Sequence, residues 1–209
     1  MLDLRGAVPA AAPPAAPAAR GLVLSESGLE TVPDWVERLW QLEMLDLAHN
    51  RLAAVPDGLA ALTRVEVLYL GDNRLLAVPA AVRALRALRY LSVADNAIAV
   101  LPEWLGELGA LVELRLQGNR IADLPESLRD LGALRELHLR ANRLRSLPAA
   151  VAAIPRLRVL DLRANGLTTL PDALADAPAL EKLDLRWNPL HSLPPAAQRL
   201  ADRGCFVLW

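Results

Sequence analysis

Leu42–Arg64 reads LEMLDLAHNRLAAVPDGLAALTR, and the next 23 residues, Val65–Ala87, read VEVLYLGDNRLLAVPAAVRALRA. Both carry an aliphatic residue at positions 1, 4, 6, 11, 14, 18 and 21, asparagine at position 9 and proline at position 15. The frame runs without insertion to LEKLDLRWNPLHSLPPAAQRLAD, Leu180–Asp202, which makes seven units in register. An earlier unit, Ala19–Gln41, fits with Ser27 in the asparagine slot, and a partial one from Arg203 puts Phe206 and Leu208 where the paired strand leucines belong. A fixed period of this length signals a stack of one supersecondary unit, because a single unit cannot bury its own apolar face.

Positions 4 and 6 alternate as a short strand does, so one face enters the core and positions 3, 5 and 7 point the other way. Position 9 is Asn50, Asn73, Asn96, Asn119, Asn142, Asn165 and Asn188, a column of short amides that can satisfy backbone groups where the strand ends. Position 15 is Pro33, Pro56, Pro79, Pro102, Pro125, Pro148, Pro171 and Pro194, which restricts the backbone as each coil turns into a short helical or 3₁₀ segment. Residues 19–209 therefore read as eight coils of 23 residues plus a closing strand over 203–209. Residues 1–18, MLDLRGAVPAAAPPAAPA, read as an Ala/Pro-rich tail, flexible or loosely docked. Trp35 and Trp104 are expected to pack under neighbouring coils on the convex side. Trp40 should cover the N-terminal coil, and Phe206 with Trp209 the open end of the core.

These repeats resemble the leucine-rich-repeat proteins of the 23-residue LPxxL type, the intracellular Ras-group and Scribble-like proteins and many bacterial relatives. The resemblance covers most of the chain. It implies an α/β fold, a curved horseshoe solenoid with a parallel concave β-sheet and short helical or 3₁₀ convex segments. It also implies a non-enzymatic role in protein–protein interaction, with a protein partner held on the concave sheet, a small GTPase or another signalling protein among the candidates. No GxxxxGK[ST] phosphate loop, kinase signature or appended ligase-sized helical domain accompanies the repeats.

Composition removes several other functions. Formal net charge is −1, with 22 arginines and the single lysine Lys182 offset by 24 acids, so no bulk field draws the chain to nucleic acid or to an anionic membrane. The lone cysteine, Cys205, rules out an internal disulfide and suits a reducing, cytoplasmic location. No apolar run is long enough to span a bilayer, and Pro9, Pro13, Pro14 and Pro17 break the N-terminal stretch that a secretion signal would need. The bias to Ala, Arg, Leu and Pro points to a GC-rich, bacterial genome. A monomer is expected.

Sorting the variable positions into columns places the candidate binding residues. Met44, Val67 and Tyr90 at position 3 with Asp46 and Tyr69 at position 5 form a patch in the N-terminal half, where exposed aromatic and methionine side chains suit partner contact. Arg115 and His138 at position 5, Arg140, Arg163 and Arg186 at position 7 and Trp187 at position 8 make the C-terminal half arginine-rich. Two readings of those arginines stand open. They face an acidic partner, or they form a mesh with Glu113, Glu136, Asp161 and Asp184 that keeps the sheet soluble.

LRELHLRANRL, Leu134–Leu144, looks basic in isolation, yet within the frame it is one rung of a mixed-charge sheet. No catalytic constellation stands out. The three histidines, His49, His138 and His191, fall in different columns, and the rim column Glu26, His49, Asp72, Asp95 reads as solvated, so neither metal nor cofactor is expected. Cys205, at position 3 of the closing strand, reads as an inert thiol. An alternative reading makes the chain a bacterial effector or regulatory fragment whose enzymatic activity lies in a partner or a further domain.

Overall fold

The computed structural model describes residues 1–209. One parallel sheet of ten short strands runs through it in chain order: β1 (Leu2–Asp3), β2 (Gly21–Val23), β3 (Met44–Asp46), β4 (Val67–Tyr69), β5 (Tyr90–Ser92), β6 (Glu113–Arg115), β7 (Glu136–His138), β8 (Val159–Asp161), β9 (Lys182–Asp184) and β10 (Phe206–Leu208). From β2 to β9 every register partner lies 23 residues on, so Leu45, Leu68, Leu91, Leu114, Leu137, Leu160 and Leu183 stack as one buried file. Each such leucine contributes about 2 kcal/mol by leaving water. The buried side chains form one continuous core from Ala16 to Cys205, the expected curved solenoid.

Each coil leaves its strand through the same conformation. The residue at position 8 is left-handed in every repeat: Glu26, His49, Asp72, Asp95, Gly118, Ala141, Ala164 and Trp187, with φ between 51° and 68°. The asparagine that follows takes over from the sheet ladder. Asn119 is typical: its amide donates to Val93 O at 2.9 Å and Leu116 O at 3.0 Å, while its oxygen accepts Ile98 N–H at 3.0 Å. Asn50, Asn73, Asn96, Asn142, Asn165 and Asn188 make the same link to the coil before. Ser27, lacking a donor amide, instead donates to Ser25 O and accepts Gly6 N–H.

On the convex side each proline introduces a 3₁₀ turn, from Asp34–Arg38 to Asp172–Asp176. Trp35 is buried and Trp104 packs partly against the core. Neighbouring turns approach closely at Gly106, where a Cβ would overlap the Ser127 carbonyl.

Both ends depart from the expected frame. Residues 1–18 are not a loose tail: β1 pairs in parallel with β2 at an offset of 20 residues, Leu2 opposite Leu22. Trp35 Nε1 donates to Pro9 O at 3.1 Å, and Ala16 is fully buried. An Ala/Pro stretch docks because Leu22 and Leu24 would otherwise face water at the end of the stack.

At the other end an α-helix, α1 (Pro195–Asp202), replaces the 3₁₀ turn, and its extra residue lengthens the coil to 24, pairing Phe206 with Lys182 and Val207 with Leu183. The slip by one reverses the faces, as a period of two requires. Val207 takes the core side, Phe206 and Leu208 do not, and Cys205 moves off the concave column to a buried place under α1. Phe206, Trp209 and Trp40 are all more than half exposed, so none of them covers an end. Ala196, Ala197 and Leu200 of α1 do that work at the C-terminus.

Candidate functional site

The sheet holds positions 3, 5 and 7 of each coil side by side on the concave face, so a residue's neighbours there are set by repeat number and not by sequence distance. The candidate residues fall into two groups. In the first, Met44, Val67 and Tyr90 occupy one row across β3, β4 and β5 and are half-buried, with Tyr69 beside them in the next row. The Tyr69 and Tyr90 rings lie 4.9 Å apart with a 47° tilt. That geometry is favourable between aromatic quadrupoles. Burial pushes the Tyr90 hydroxyl above its ordinary value, although Arg115, whose guanidinium lies 5.7 Å from the ring centre, pulls the other way. Asp46 turns its carboxylate to its own strand end and accepts Ala48 N–H at 2.9 Å.

The second group is built of ion pairs. Asp161 accepts both Nε and Nη2 of Arg163 at 2.8 and 2.5 Å, together with the Arg163 backbone N–H. One rung on, Asp184 holds Arg186 in the same way at 3.0 and 2.7 Å, and Arg163 also reaches Asp184 at 3.5 Å. This is the fork geometry that arginine, and not lysine, can supply. The two carboxylates are deep, 10% and 5% exposed, whereas the guanidinium groups that cover them are 26% and 40% exposed. Burial raises the Asp161 carboxyl, but the Arg163 hydrogen bonds outweigh it and hold the group below the ordinary carboxylate value. Arg115 pairs with Glu113 at 2.6 Å and His138 with Glu136 at 3.1 Å. Arg140 is exposed and has no acidic partner; Trp187 is 68% exposed with Arg186 stacked 5.5 Å over its ring.

Two features of this face carry no sequence signal of their own. Lys182 in β9 is exposed without an ion pair, and the depth difference between the aspartates and arginines follows from side-chain length on the sheet. Glu113, Glu136 and His138 bring one donor atom each within 4.8 Å of one another, the only such set, but a Glu113 oxygen is already held by Arg115. On the rim His49 Nδ1 and Asp72 pair at 2.9 Å, and the Asp72 hydrogen bond raises the His49 pKa. Cys205 is free and buried, and burial raises its thiol above the ordinary value.

Residues 63–121 and 124–190, more than half of the chain, match the leucine rich repeat family. No curated protein matches the chain. Among solved structures it is similar to a leucine-rich-repeat protein of Leptospira interrogans, 27% identical over 90% of this chain and 60% of that one, with a TM-score of 0.66. It is also similar to a plant peptide hormone receptor in complex with RGF2, 26% identical over 100% of this chain and 34% of that one, TM-score 0.78. A third is the repeat ectodomain of the Arabidopsis thaliana membrane receptor kinase GASSHO1/SCHENGEN3 in complex with CASPARIAN STRIP INTEGRITY FACTOR 2, 28% identical over 90% and 23% of the two chains, TM-score 0.76. The chain thus spans less than two thirds of the length of each.

Proposed function

The chain belongs to the leucine-rich-repeat family, and on that premise we propose that it is a non-enzymatic binding module holding a protein partner on its concave sheet. The observation that carries this reading is the Tyr69–Tyr90 pair, set beside Met44 and Val67 on a backbone that the strand ladder holds rigid. Side chains presented in this way lose little freedom on association, so more of the contact energy appears as affinity. Two solved relatives are described as complexes, which agrees with the reading. The experiment is affinity capture from a lysate of the source cells followed by mass spectrometry. Tyr69→Ala with Tyr90→Ala should abolish capture while the circular dichroism spectrum is unchanged. Arg140→Glu, at a side chain that holds no acid in place, should weaken capture. Normal capture by both variants would sink the concave-face reading.

The same reading includes the intracellular LPxxL type, a cytoplasmic location and a monomeric state. The 23-residue register and the single unpaired cysteine support the first two, and no helix is long and apolar enough to cross a membrane. Light scattering tests the third. Whether the partner is a small GTPase is what the capture would read. A second reading, a regulatory or effector fragment whose activity lies elsewhere, draws on the chain's spanning only part of its relatives' length. A catalytic domain encoded in the adjoining genomic sequence would favour it.

A further inference from the structure

The geometry points to an acidic segment of the partner, a run of aspartate and glutamate side chains, as the occupant of the C-terminal half of the concave sheet. This deepens the protein-binding reading above and rests on it. By residue count the region around β8 and β9 already leans cationic, with Asp161 and Asp184 against Arg140, Arg163, Lys182 and Arg186. Depth widens that excess. The two aspartates lie almost wholly beneath the arginines, and their oxygens are used by Nε and Nη2 of those arginines and by backbone N–H groups. Nη1 of Arg163 and of Arg186 is left without a partner, and Arg140 and Lys182 are exposed with no acid paired to them. An approaching molecule therefore meets cations, although the chain as a whole carries a net charge of −1.

The cationic side chains surround a shallow cleft of about 130 Å³, lined by His138, Arg163, Lys182 and Arg186 with the two aspartates. A space of that size holds roughly four waters' worth of volume, enough for a carboxylate side chain. Arg140, Arg163 and Arg186 recur on successive rungs about 4.8 Å apart, so several carboxylates can be met in a row. Polarity along the face orients such a segment. Asp72 and Asp95 stand exposed on the rim of the N-terminal half and repel it there, while the paired Glu113 and Glu136 interrupt the path of any longer polyanion. A protein segment with a short acidic run next to apolar residues fits both halves, and a nucleic acid backbone does not.

The probe is a fluorescein-labelled, end-capped octaglutamate peptide titrated with the full chain at low salt and followed by anisotropy, with octalysine and an eight-base oligothymidylate as comparisons. Octaglutamate should bind, octalysine should not, and the oligonucleotide should bind at least about tenfold more weakly; raising salt to about 0.5 M should release the peptide. Arg140→Glu with Lys182→Glu should weaken octaglutamate by about tenfold or more without unfolding, since neither side chain holds an acid in place. Tyr69→Ala with Tyr90→Ala should leave octaglutamate within about twofold, because the tyrosines lie several rungs away. No octaglutamate binding, binding indifferent to the Arg140 and Lys182 changes, or oligothymidylate binding as tight as the peptide would each overturn the inference. If octaglutamate fails while capture of the native partner still depends on Tyr69 and Tyr90, the acidic segment falls and the protein-binding reading stands. If capture is indifferent to the tyrosines as well, both fall.

Discussion

The two halves of the concave sheet share one backbone and differ in almost everything built on it. From β3 to β5 the face is made mainly of uncharged side chains, Asp46 excepted, with exposed acids on the rim at Asp72, paired to His49, and Asp95. From β6 to β9 it is made mainly of charged side chains, and in β8 and β9 the acids lie beneath the arginines that cover them. The left-handed residue after each strand differs too. The first half uses Glu26, His49, Asp72 and Asp95 there, and the second uses Gly118, Ala141, Ala164 and Trp187. A repeat holds the chain's path constant so that its surface can vary, and what varies is where charge and strain are placed.

The largest test is of the frame that the halves share. Asn119 lies between them, buried, and its amide satisfies two neighbouring coils. Asn119→Ala should lower stability by about 3 kcal/mol in urea unfolding, since several buried backbone groups lose their partner at once. A cost below about 1 kcal/mol would mean that water replaces the amide and that the coils are more independent than described.

Asp161→Asn asks whether the second half is held by its buried carboxylates. At neutral pH it should cost about 2 kcal/mol, because Arg163 loses its charged partner. The wild-type carboxyl is held below its ordinary value, so its contribution is present above that value and is lost as pH falls through the folded-state value. Unfolding curves between neutral and acid pH should therefore be flatter for Asp161→Asn than for the wild type.

In the first half the corresponding bond is aromatic. A double-mutant cycle on Tyr69 and Tyr90 should return a coupling of about 1 kcal/mol, insensitive to salt. A coupling near zero would reduce that patch to independent side chains.

Backbone strain separates the halves by less. Ala164, at φ 51°, carries a Cβ that the left-handed conformation disfavours, and Ala164→Gly should stabilise the protein by about 0.5 kcal/mol. Asp72→Gly should gain less, because aspartate tolerates this region better and the change removes the His49 pair. That exposed pair is the smallest effect. The His49 titration followed by NMR should lie above 6.5 and return toward it in Asp72→Asn. Its stabilisation is present at low pH and fades as pH rises through the folded-state value, and it should amount to less than about 0.5 kcal/mol.

Much of this was legible in the residues. The leucine columns define the core face, and the proline column marks where each convex turn begins. The concave columns follow from period two, which is why Tyr69 and Tyr90 could be placed together although 21 residues separate them. The open choice at the arginines was not legible, because both readings use the same residues at the same spacing. The left-handed column was hidden because its eight occupants, from Glu26 to Trp187, share no chemistry. The position is set by the strand's exit, not by the side chain.

By itself, then, the sequence determined the stack: period, strand face, turn and the family to which they belong, all local patterns repeated often enough to leave one solution. Tertiary structure alone decided three things. It docked residues 1–18 as a first coil, because an uncapped core end would face water. It slipped β10 by one residue, because an α-helical turn takes up more chain than a 3₁₀ turn at the same place. It also withdrew the acids of β8 and β9 from the surface and left the cations outermost, because a short aspartate on a packed sheet lies below the long arginine that covers it. Each outcome depends on which atoms water can reach, and that is a property of the assembled coils.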